Sequence, residues 1–96
     1  MIRHTVVFTL KHEAGSPEER DFLESARQLA GIATVEKFEQ LRQVSPKCDH
    51  AFGFSMEFAD QAAYDFYNDH PMHRDFVENR WMGEVADFQE IDYQPL

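Results

Sequence analysis

Ninety-six residues make one small domain around one core, and a hydrophobic share of 43% with nine phenylalanines marks a folded chain, not a disordered one. A formal charge of −9 with scattered basic residues repels phosphate backbones, which argues against a nucleic-acid partner. No run approaches the roughly 20 apolar residues that span a bilayer, and MIRHTVVFTLK lacks a signal-peptide pattern, so the expectation is a cytoplasmic protein with no membrane partner.

Residues 2–11 read as the first strand. Ile2, His4, Val6, Phe8 and Leu10 share one face by the period of two, and Arg3, Thr5, Val7, Thr9 and Lys11 share the other. His4 thus points into an otherwise apolar face. A rim histidine bonded to a backbone carbonyl would explain it without any function. Ser16 then caps a helix, with Pro17 at its first position and Glu19 three residues on. Phe22, Leu23, Ala26, Leu29 and Ala30 form its apolar stripe, and Gly31 ends it.

Residues 32–44 read as a second strand with poor alternation, and helix is the competing reading because the residues are good helix formers. The turn SPKCDH holds the single cysteine, Cys48, an ordinary reduced thiol. No cysteine–histidine cluster has zinc spacing, so no metal is expected. Residues 50–58 are the clearest strand, with Phe52, Phe54, Met56 and Phe58 on one face and Ala51, Gly53, Ser55 and Glu57 on the other.

Asp60 to Trp81 carries the most informative chemistry. Asp60 can cap a helix whose Ala63, Phe66 and Tyr67 fall at i, i+3 and i+4. His70 precedes Pro71 and leaves the helical region, and Pro71 starts a second helix. His73, Phe76, Val77, Arg80 and Trp81 recur there at helical spacing, with Gly83 as the expected stop. Two polar aromatic groups, Tyr67 and His73, therefore sit on buried-looking faces beside a rigid corner. Buried polar groups must find partners. A last strand over 84–93 carries Val85, Phe88, Ile91 and Tyr93, and its slipped spacing predicts a bulge between Phe88 and Ile91.

The order strand, helix, strand, strand, helix, strand is the ferredoxin-like split β-α-β-β-α-β arrangement, an α+β antiparallel sheet with helices on one face. The first and third strands then lie at its centre. The far face carries Thr5, Val7, Thr9, Ala51, Gly53 and Ser55, small residues that a second copy could cover.

IRHTVVFTLK, FGFSMEF, the HPMH corner and the closing FQEIDYQP together resemble the Dabb family, the stress-responsive dimeric α/β-barrel domain. The resemblance spans nearly the whole chain, makes residues 1–96 a single domain, and implies a homodimer whose sheets close into a barrel. One well-understood relative is plant olivetolic acid cyclase, a cofactor-free polyketide cyclase. Its first-strand histidine, the tyrosine before its HPxH corner and the second histidine of that corner carry over onto His4, Tyr67 and His73. His70 looks structural. The resemblance implies a pocket walled by Val6, Phe8, Phe22, Phe54, Phe76 and Trp81, a small hydrophobic or carbonyl-containing ligand, no cofactor, and His73 as general base. Phe52, Phe54, Met56 and Phe58 could instead fill that space. The alternative is then a non-catalytic stress-associated dimeric module or small-ligand binding protein, with His4, Tyr67 and His73 as satisfied core polar groups.

Overall fold

A computed structural model describes residues 1–96. Four strands form one antiparallel sheet: β1 (Ile2–Leu10), β2 (Glu36–Arg42), β3 (Phe52–Phe58) and β4 (Val85–Tyr93), in the order β2-β3-β1-β4. Helix α1 (Pro17–Ala26) runs on into a 3-10 turn, Arg27–Gly31. Helix α2 (Gln61–Asp69) meets α3 (Pro71–Phe76) at the proline corner. The chain then continues through a π turn, Val77–Trp81, and a last helical turn, Met82–Glu84, one residue past Gly83. This is the ferredoxin-like fold. No helix is long and apolar enough to cross a membrane.

Alternation places the core. Ile2, His4, Val6, Phe8 and Leu10 are all buried, and their β3 partners Phe58, Met56, Phe54 and Phe52 are buried on the same face. Phe8, Phe22, Phe58, Phe76, Ile32 and Met56 are the largest fully buried side chains. Each buried phenylalanine contributes about 1.5–3 kcal/mol by leaving water. Ser16 caps α1 by accepting from the Glu19 backbone N–H at 3.2 Å, as its spacing requires.

Three expectations need correction. The second strand is Glu36–Arg42, not 32–44: Ile32 ends the 3-10 turn as a core plug, 2% exposed. Lys37 has φ 52°, in the left-handed region, and the pairing with β3 shifts register between Glu36 and Glu39. That bulge reverses the alternation midway, which is why the strand looks unpatterned as sequence. In β4 the register is continuous from Asp87 to Tyr93, and the irregularity falls opposite Thr9 and Leu10, not between Phe88 and Ile91. The slipped spacing is a change of face. Phe88 pairs with Phe8 on the helix side, while Ile91 pairs with Thr5 on the far side. Finally, Phe66 is 49% exposed, and α2 buries Ala63, Tyr64 and Tyr67 instead. Asp60 fixes this phase by accepting from the Ala63 N–H at 2.8 Å, and Phe66 packs edge-on against His70 at 5.7 Å.

Candidate active site

The HPMH corner builds the first half of the site. His70 is extended (φ −65°, ψ 134°), as a residue before proline should be. Its Nδ1 accepts from the Met72 N–H at 3.1 Å, so it caps α3, the structural role expected of it. Pro71 then starts α3 and swings His73 back over the end of α2. There His73 Nδ1 lies 3.1 Å from the Asn68 carbonyl oxygen. A carbonyl only accepts, so Nδ1 carries the proton and Nε2 keeps its lone pair in the neutral ring. The His73 and Tyr67 rings are in contact, with centroids 4.4 Å apart.

Beta strands build the second half. His4 and Asp92 are cross-strand partners, so their side chains share the helix-facing side. His4 Nδ1 lies 2.6 Å from Asp92 Oδ1. The Tyr64 hydroxyl donates to Asp92 Oδ2 at 2.8 Å, and its oxygen lies 2.9 Å from His4 Nδ1. The carboxylate accepts, so this ring too carries its proton on Nδ1 and leaves Nε2 unprotonated when neutral. A histidine held in one tautomer by a carboxylate is a recurring arrangement where a ring must exchange a proton. Tyr64 and Asp92 complete the site and are absent from the sequence expectation.

Between the halves lies a cavity of about 520 Å³. His4, Tyr67 and His73 all line it, from β1, α2 and α3. Of the expected wall, Val6, Phe54, Phe76 and Trp81 line it as well, joined by Leu29, Met56, Val77, Met82, Val85, Phe88 and Glu90. Phe8 and Phe22 do not. Both are fully buried behind Trp81, with ring centroids 5.0 and 6.2 Å from its own. Phe54 and Met56 form wall and do not plug the space. The π turn matters here. It closes with the Met82 N–H on the Val77 carbonyl, and its extra residue lets Val77, Trp81 and Met82 reach one cavity.

No buried polar side-chain atom lacks a partner. The Tyr67 hydroxyl makes no hydrogen bond to protein, so it must open onto the cavity although the residue is only 3% exposed. Burial, then the Glu90 charge, raise the Tyr67 phenol far above its ordinary value and keep it a donor. Tyr64 is raised by burial first and by Asp92 next. The His73 pKa is lowered, chiefly by burial and further by the charges of His4 and Arg74, although the Asn68 carbonyl and Glu90 oppose this. Near neutral pH the ring is a neutral base. No three side chains converge anywhere to hold a metal ion.

The stress-responsive A/B barrel domain, Dabb, matches residues 2–95. The chain belongs to the Dabb family. A Dabb protein of ferredoxin-like fold from Mesorhizobium loti is 64% identical, over 99% of this chain and 96% of that one, with a TM-score of 0.98. More distant structures share the fold. A dimeric ferredoxin-like protein of unknown function from Thermobifida fusca is 18% identical, covering 98% of this chain and 90% of that one, with a TM-score of 0.78. A hydroxynitrile lyase from Passiflora edulis is 13% identical, covering 96% and 90%, with a TM-score of 0.79. No curated protein matches the sequence.

Proposed function

We propose that this Dabb protein is a cofactor-independent acid–base enzyme of the cyclase or lyase type, acting on a small carbonyl compound. The observation that carries the reading is His73: its Nδ1 is pinned, its Nε2 is free, burial keeps it neutral, and it borders an open apolar cavity. The reaction class is proton abstraction next to a carbonyl. His73 Nε2 takes the α-proton. The C–H electron pair moves into an enolate, and the Tyr67 hydroxyl donates a hydrogen bond to its oxygen. His4, oriented by Asp92 and Tyr64, offers a second Nε2 to a substrate hydroxyl. Plant olivetolic acid cyclase, which the HPMH corner resembles, and the Passiflora lyase of shared fold fit this class.

A direct test is α-proton exchange of 4′-hydroxyacetophenone in D2O, followed by NMR. The protein should accelerate exchange, and His73→Ala should remove at least about 100-fold of that acceleration. No acceleration over buffer for a ketone that binds would leave the small-ligand binding reading.

The enzyme would work as a homodimer, as the dimeric relative from Thermobifida fusca supports. Register puts Val7, Gly53 and Leu41 side by side on the far sheet face, with Ile91 and Tyr93 on the same side. Leu41, Ile91 and Tyr93 are exposed there, an apolar surface that a second copy would bury symmetrically. A Cβ at Gly53 would meet nothing nearer than 3.5 Å, so Gly53→Lys fits the folded chain. It should turn a dimer into a species near the 11.3 kDa chain mass by light scattering.

A further inference from the structure

The cavity has a charge bias that the acid–base reading does not use. Register pairs Glu90 with Val6, which turns Glu90 to the helix side of an edge strand whose next inward residue is Asp92. Glu90 is the only carboxylate in the cavity wall, and neither lysine nor arginine lines the cavity. The nearby cations are committed elsewhere. Arg74 is largely exposed, 3.6 Å from Asp69, and Arg80 is held by Glu84 at 2.6 Å and Asp21 at 2.9 Å. Asp92 is already matched by His4 and Tyr64. Glu90 is itself exposed on this edge strand, and its charge acts on Tyr64, Tyr67 and His73 as a smaller influence than burial.

Hydrogen-bonding groups of both kinds face the space. The His73 Nε2 and the Glu90 carboxylate accept, and the Tyr67 hydroxyl and the Trp81 indole N–H donate. The complement is a molecule with one carbonyl acceptor and one or more hydroxyl donors. Phe54, Trp81 and Phe88 supply aromatic faces around it, with Trp81 and Phe88 edge-to-face at 5.5 Å. An anion entering this space meets no lysine or arginine in the wall and one carboxylate of like charge.

We propose that Glu90 makes the cavity selective for uncharged, hydroxyl-bearing aromatic ketones and closes it to carboxylates and phosphates. This rests on the small-molecule reading of the cavity, not on turnover. Trp81 is the single tryptophan of the chain, so its indole N–H gives one NMR signal from within the wall. The experiment titrates the intact protein at pH 7 with 4′-hydroxyacetophenone and, separately, with 4-acetylbenzoate, which share the acetyl ring and differ in charge. The hydroxyketone should shift the Trp81 signal, and the carboxylate should bind at least about tenfold more weakly, about 1.4 kcal/mol. Glu90→Gln should narrow the gap to about twofold by strengthening carboxylate binding, and raised salt should narrow it in the unaltered protein. Equal binding of the two probes, or a gap that Glu90→Gln leaves unchanged, overturns the selectivity alone. No shift with either probe up to solubility overturns it together with the small-molecule reading.

Discussion

The layer between sheet and helices has two unlike halves. Under α1 it is solid: Phe8, Phe22 and Phe76 interlock with ring centroids 5.5 to 6.0 Å apart, and Trp81 closes the stack. Toward the α2–α3 corner it is hollow, and the side chains around the space include two histidines, a tyrosine and a carboxylate. The same strands supply both halves. β1 gives Phe8 to one and His4 to the other, four residues apart on one face. The contrast separates stability from chemistry. The solid half buries apolar area without cost in polar groups, and that surplus allows the hollow half to leave polar atoms facing a space that protein does not fill.

The largest effect should follow from opening the solid half. Phe8→Ala removes a fully buried ring and should destabilise by about 3–5 kcal/mol in urea unfolding, enough to unfold much of a small domain. Phe88→Ala, at the hollow half and 49% exposed, should cost no more than about 1 kcal/mol in the same measurement. Similar losses at both positions would erase the distinction between the halves.

A finer contrast lies within the hollow half. Tyr64 binds Asp92 and His4, so Tyr64→Phe should cost about 1–2 kcal/mol. Tyr67 is the more buried residue, but its hydroxyl has no protein partner, so Tyr67→Phe should stay within about 0.5 kcal/mol while slowing any turnover. If the order reverses, Tyr67 is a structural hydrogen-bonding residue and its hydroxyl is not free for substrate.

The smallest effect concerns pH. The folded pKa of His73 lies below its ordinary 6.5, so in the window between the two the unfolded chain binds more protons. Stability from this group is full above pH 6.5 and is lost as pH falls through the folded value. Unfolding free energies measured across that window should fall with acid in the unaltered protein, and less steeply in His73→Ala.

How much of this the sequence carries depends on the element. β1 and β3 are legible because period-two alternation over seven or more residues fixes both face and register. His70 and Pro71 are legible because their backbone demands are local. His4, Tyr67 and His73 come to one cavity through the strand order that alternation implies. Tyr64 was hidden because α2 is short and carries aromatics all round, so its buried face depends on where Asp60 sets the first turn. Asp92 was hidden because β4 has apolar residues on both faces. Only its register with β1 shows that Glu90 and Asp92 turn inward and Ile91 and Tyr93 outward. The π turn leaves no sequence mark, yet Val77 and Trp81 at its two ends both wall the cavity.

The central claim is that both site histidines are held through Nδ1–H and that His73 presents a bare Nε2 to the cavity. Long-range 1H–15N NMR of the imidazole rings reads this directly. At pH 7.5 the account predicts a proton on Nδ1 of both rings and a bare Nε2 on His73, which gains its second proton only below pH 6.5. An Nε2–H tautomer at His73, or a titration midpoint at or above 6.5, would contradict it.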